Sequence, residues 1–212
     1  MKCTLMAAAI VVLAGTPALA HRLDEYLQGT LIAVEKNRID AQITLTPGVA
    51  VFPALLAGID TDGNGVLSAT EQHAYEDRIL RDLSFKIDGR PVTPHLLSAQ
   101  FPAVDEMKEG RGEIRIELEA DLAGGGPRRK LTFENRHESR IAAYQVNCLV
   151  PRDRDIRILA QNRNYTQSFY EVEFAEAAAQ RPPGTAALLL VAGVALLWRR
   201  RQSWQRGREK ER

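Results

Sequence analysis

Between positions 60 and 71 the chain reads Asp60-Thr61-Asp62-Gly63-Asn64-Gly65-Val66-Leu67-Ser68-Ala69-Thr70-Glu71. Oxygen-bearing side chains fall on alternate residues, Asp60, Asp62 and Asn64, with Ser68 further on and a carboxylate at the twelfth position. A hard cation such as calcium takes roughly six to eight oxygens, so a chain wrapped around one must offer an oxygen at every second residue. Asp60, Asp62 and Asn64 would supply side-chain oxygens and Val66 its backbone carbonyl. Ser68 would add a hydroxyl directly or through water, and Glu71 both carboxylate oxygens. Gly65 stands where the wrap demands a positive φ that a Cβ resists.

This spacing is the calcium-loop pattern of EF-hands, with Leu67 at the inward-packing apolar position. A surface turn of Asp, Gly and Asn would need neither that leucine nor Glu71. The chain holds one such loop, so the pairwise cooperativity of twin hands has no basis within it. Three carboxylates beside a neutral Asn64 give modest charge, and extracytoplasmic sites commonly work at ~10⁻⁴ to 10⁻³ M. A structural or slowly responding calcium site is expected, with magnesium disfavoured by a two-oxygen Glu71.

The other reactive side chains give weaker patterns. His21, if a leader is cut before it, joins an α-amine to an imidazole, a chelate that copper or nickel favours. His73, His95 or His137 would have to complete it, and no spacing selects one. The alternative is an ordinary exposed terminal histidine. His137, Ser139 and Glu134 lie close in sequence, but nothing resembles a nucleophile elbow, so a non-enzymatic protein is expected. Cys148 is the one cysteine after residue 20; an exported domain built this way has no internal disulfide, and Cys148 reads as a small buried residue. The polar stretch Gln161–Gln167 reads as a loop between strands.

The elements that must hold the loop follow from periodicity. Thr46 can cap a helix opening at Pro47, with Val49, Phe52, Leu55, Leu56 and Ile59 at helical spacing, and Glu71 to Leu83 repeats that spacing. Alternating residues mark strands over Glu25–Val34 and Ile39–Thr46, a hairpin turning near Lys36-Asn37. Further strands are expected around Leu83–Ile87 before a turn at Asp88-Gly89, and around 114–118, 131–133, 142–150, 156–159 and 168–174. The expected fold is mainly β: an immunoglobulin-like antiparallel sandwich over 21–175, with a helix-loop-helix EF-hand inserted at 47–83.

The chain of 212 residues carries 28 basic and 27 acidic side chains, a net charge of +1 that hides an asymmetry. From His21 to Arg181 there are 20 basic and 25 acidic residues, and from Arg199 to Arg212 seven against two. An acidic body with a short cationic tail argues against a nucleic-acid-binding domain. Lys2, the apolar run Leu5–Leu13 and the small residues Ala18 and Ala20 read as a signal peptide over 1–20. Pro182-Pro183-Gly184 closes a linker over 176–184. A charge-free segment over 185–198 then precedes Arg199-Arg200-Arg201. Fourteen helical residues span only ~21 Å of a ~30 Å core, which snorkelling arginines can extend. A single transmembrane helix with a basic cytoplasmic tail over 199–212 is expected, the main domain facing outward in the periplasm. A cleaved carboxyl-terminal sorting signal is the other reading.

Three stretches add a resemblance: His21-Arg22-Leu23-Asp24-Glu25-Tyr26-Leu27-Gln28, Leu45-Thr46-Pro47-Gly48-Val49-Ala50, and Leu131-Thr132-Phe133-Glu134-Asn135-Arg136-His137. With them the chain resembles the exported amino-terminal domain of bacterial membrane proteins of the HupE/UreJ type, associated with nickel or cobalt uptake, over most of residues 21 to 175. The multi-helix permease portion of such proteins has no counterpart here. The resemblance therefore implies location and an accessory role beside a transport or envelope protein, not transport by this chain.

Overall fold

The computed structural model describes residues 24–177. Their elements run β1 (Tyr26–Val34), β2 (Arg38–Pro47), α1 (Phe52–Ala57), α2 (Ala69–Asp82), β3 (Leu83–Ile87), β4 (Arg90–Val92), β5 (His95–Gln100), α3 (Val104–Lys108), β6 (Ile114–Asp121), β7 (Arg128–Asn135), β8 (Ala142–Cys148), β9 (Ile156–Arg163) and β10 (Phe169–Glu176). The expected signal peptide, His21, the apolar segment 185–198 and the basic tail lie outside these residues. Among the described residues no helix is long and apolar enough to cross a membrane.

Ten strands form two five-stranded sheets, ordered β5-β6-β2-β1-β8 and β4-β3-β7-β10-β9. In β2 the alternation expected from sequence is realised, with Ile39, Ala41, Ile43 and Leu45 buried and Arg38 and Gln42 exposed. Their side chains join Ile32, Ile116, Phe133, Val172 and Phe174 in one core shared by both sheets. Each such burial contributes about 1.5 to 3 kcal/mol of transfer free energy, the force that presses the sheets together as a mainly β, two-layer domain.

The β1–β2 hairpin closes where Lys36-Asn37 suggested, with Tyr26 opposite Pro47 and Val34 opposite Ile39. The turn between β3 and β4 places both Asp88 (φ 52) and Gly89 (φ 78) in the left-handed region, the geometry that an Asp-Gly pair accommodates.

Three expectations are corrected. The sheets are not wholly antiparallel, because β1 pairs in parallel with β8, Tyr26 opposite Ala142 through Ile32 opposite Cys148. The chain crosses from the second sheet to the first between β7 and β8, at the end where β1 also begins, so both strands set off in one direction. Thr46 and Pro47 do not open a helix; they end β2, paired with Leu27 and Tyr26, and α1 starts only at Phe52. A strand's last residue need not donate to the ladder, so pairing with β1 overrides the local proline signal. Gln161, Asn162 and Arg163 belong to β9, whose position at a sheet edge leaves polar residues wetted and removes the alternation that marks buried strands. Finally β5, an exposed edge strand with a register shift between Leu96 and Ser98, and the five-residue α3 carried no periodic signal.

The helix pair and its loop are inserted between β2 of one sheet and β3 of the other. They cap the end of the domain where β1 starts and β7 finishes.

Candidate metal centre

The loop begins as α1 unwinds at Gly58, where backbone N–H groups of Ile59 and Asp60 donate to the Leu56 carbonyl, both at 2.8 Å. Gly63 (φ 69) and Gly65 (φ 79) then take the left-handed conformation that turns the chain back on itself. The Asp60 carboxylate accepts the N–H groups of Asn64 and Gly65, at 3.2 and 2.8 Å, through its two oxygens. Asp62 accepts from the Asn64 backbone at 3.1 Å and from its side-chain amide at 2.7 Å, while Asn64 Oδ1 accepts from Val66 at 2.8 Å.

Glu71 closes the ring from the first turn of α2. Ser68 is the N-cap of that helix, and the two residues form a reciprocal capping box. Glu71 Oε2 accepts from the Ser68 N–H at 3.0 Å and its hydroxyl at 2.8 Å. Oε1 accepts from the Thr61 N–H at 2.6 Å and its hydroxyl at 3.0 Å. These donors, the Ser68 backbone first, hold the Glu71 carboxyl well below its usual range, at about 2, so it is ionised at any physiological pH.

Carboxylate oxygens of Asp60, Asp62 and Glu71 thereby lie within 4.8 Å of one another. A metal ion placed between them could draw on all three carboxylates. Asp60 is only 7% exposed and Glu71 6%, and among the described residues neither they nor Asp62 has a lysine or arginine partner. Leu67 points into the shared core, and its carbonyl accepts the Gln72 amide at 2.8 Å, while the Val66 side chain is exposed. The structure brings the carboxylates of Asp60, Asp62 and Glu71 together, while Asn64 Oδ1 and Ser68 Oγ are engaged in hydrogen bonds within the loop and its cap.

The exit helix is tied to the sandwich by contacts that sequence spacing does not show. Arg78 lies over the Tyr75 ring at 4.7 Å, donates to the Gly58 carbonyl at 3.3 Å and pairs with Glu138 at 3.3 Å. It therefore links the end of α1, the middle of α2 and the β7–β8 connection. A Cβ at Gly58 would sit 3.3 Å from this guanidinium, so a side chain there would need Arg78 to shift by a few tenths of an ångström. Tyr75 OH meets Tyr26 OH at 2.7 Å and His137 Nε2 at 3.0 Å, and His137 Nδ1 meets Asp82 at 2.8 Å. Gln28 and Asn135 complete the network by bonding each other and the His137 backbone, at 2.8 to 2.9 Å.

Both ring nitrogens of His137 are therefore engaged in the core, and burial moves its pKa below the ordinary histidine value. It is not free to ligate a metal or to serve exposed Ser139. His73 and His95 are exposed, on α2 and at the start of β5, and do not join it. Cys148 is a half-buried free thiol whose pKa burial pushes up to about 11, an unreactive setting.

Sequence reasoning overlooked Thr61, Gln72, Arg78 and Glu138. Only Arg78 left a local trace, three residues past Tyr75 on one helix face. Compared with known proteins, the chain matches no family model, and no curated protein or solved structure is found similar to it.

Proposed function

We propose that this protein is an exported calcium-binding domain of EF-hand type, carried on an immunoglobulin-like sandwich and tethered to the membrane by the apolar segment 185–198. The observation that carries the calcium reading is the convergence of the Asp60, Asp62 and Glu71 oxygens to within 4.8 Å, in a loop closed by two helices. Asn64, the Val66 carbonyl and Ser68 would complete the shell, and the size and hardness of calcium match an all-oxygen set with a two-oxygen glutamate. The bound ion would neutralise three clustered carboxylates and brace the start of α2 against the end of α1.

The chain's own residues would do the rest. Tyr75 and Arg78 fix α2 to the core, so bracing the loop stabilises the inserted helices and the surface they present. The role is accessory, binding an envelope or transport partner as the HupE/UreJ resemblance implies, and not catalytic; the full engagement of His137 supports that. β10 ends at Glu176, at the end of the domain opposite the calcium loop.

Calorimetric titration with calcium, paired with thermal unfolding, tests the reading. Binding heat and a raised Tm at millimolar calcium are expected, both lost in Glu71→Gln. Neither heat nor shift in the wild-type chain would refute it.

A further inference from the structure

We infer that the β8–β9 loop, residues 149–155, is a lipid-contacting surface that seats the domain on an anionic membrane. Leu149 is 42% exposed and Val150 89%, beside Pro151, and the exposed Arg152, Arg154 and Arg157 follow within one loop and the first turn of strand. Apolar tips flanked by arginines match the boundary between lipid headgroups and acyl chains, where aliphatic groups enter and guanidiniums meet phosphates.

Two observations set these residues apart from ordinary surface. The carboxylates around the loop are each engaged, Glu35 and Asp153 by backbone N–H groups of the loop and half-exposed Asp155 by Lys36. Glu35 accepts the N–H groups of Arg152 and Asp153 at 3.4 and 3.2 Å, Asp153 accepts the N–H of Asp155 at 2.9 Å, and Asp155 pairs with Lys36 at 3.4 Å. These bonds fix the shape of the loop, while among the described residues the three arginines form no ion pair. The loop also finishes beside the point where the last strand ends, with Ile156 opposite Glu176 and Arg157 opposite Ala175.

The occupant follows from position and charge. Residues 177–184 separate Glu176 from the apolar segment and reach at most ~26 Å when extended, so a tethered domain keeps this end near the bilayer. The body as a whole is acidic, with 25 acidic against 20 basic residues, and an anionic surface repels it except where unpaired arginines gather. Loop 149–155 is thus the face such a membrane selects. The inference rests on the tethered reading for this proximity.

The test uses the full chain in vesicles of phosphatidylcholine with or without phosphatidylglycerol. The chain carries Cys3→Ser, Cys148→Ser and Val150→Cys, labelled with an environment-sensitive dye and quenched by spin-labelled lipid. Quenching is expected with phosphatidylglycerol and should weaken with salt. Replacing Arg152, Arg154 and Arg157 by Gln should lower the partition constant roughly fivefold per arginine. A label placed by Tyr165→Cys, at the β9–β10 turn on the far end, should stay unquenched. Absent quenching at position 150, equal quenching at both positions, or a blue shift without quenching, meaning that protein covers the loop, would each overturn the inference. Alkaline extraction of the same vesicles judges the tether separately: release of the chain would refute the tethered reading, and quenching at position 150 would still decide the surface.

Discussion

Glu71 serves two structures at once. Its oxygens cap the start of α2 through Ser68 and span the loop to Thr61, and in the proposed site the same oxygens would be the twelfth-position ligands. Glu71→Gln keeps the shape but removes the charge and one of the two acceptor oxygens. Its calcium affinity should fall by more than the roughly 10- to 100-fold that loss of a supporting contact costs, read by calorimetry. Gly65 is constrained differently: with φ of 79 and nothing within 4 Å of a built Cβ, the obstacle to a side chain is the backbone alone. Gly65→Ala should therefore cost about 1 to 2 kcal/mol in urea unfolding without calcium. His137 carries a pH prediction. Its pKa in the folded chain is lowered by burial, so between that value and the ordinary one the unfolded chain binds more protons. Stability should hold above pH ~6.5 and decline as pH falls below it, with the His137 ring signals in NMR keeping the neutral form to a lower pH than an ordinary histidine.

Among the elements, α2 carries the coupling between loop and sandwich. It starts at a capping box, buries Tyr75 and Ile79, and reaches the β7–β8 connection through Arg78 and Asp82. Arg78 touches three elements with one planar group, which a lysine cannot reproduce. Arg78→Met should destabilise the domain by about 1 to 2 kcal/mol and weaken calcium binding, because the end of α1 loses its tie beside Asp60. Arg78→Lys should recover only part of both, measured by thermal unfolding and calorimetry. The hydrogen bonds of Tyr75 leave no local pattern because their partners are distant in the chain: Tyr26 from Tyr75 by 49 residues, His137 from Tyr75 by 62. The loop was legible for the opposite reason, since its geometry is set by twelve consecutive residues.

For the whole molecule, a loop bonded this tightly to a shared core should not melt on its own. Calcium at 100 times its Kd should add about 2.7 kcal/mol to the stability of the entire domain. One cooperative transition moving upward is expected in thermal unfolding, reported alike by far-UV circular dichroism and tyrosine fluorescence. A shift in one signal alone would show that the inserted helices fold apart from the sheets. The two ends of the sandwich also differ, with the Asp60–Glu71 loop, Arg78 and His137 at one and the loop carrying Arg152 and Arg154 beside Glu176 at the other.

The sequence alone determined what depends on neighbours along the chain: the oxygen-bearing loop from Asp60 to Glu71, the hairpin turns at Lys36-Asn37 and Asp88-Gly89, and the mainly β alternation. Spacing and backbone chirality act over a few residues, and any fold containing these segments must obey them. Only the tertiary structure decided that Pro47 ends a strand, that β8 runs parallel to β1, and that His137 is a buried hub instead of a ligand or base. Those outcomes rest on pairing and burial between distant segments, whose combined free energy outweighs local preference and leaves no period in the sequence to read.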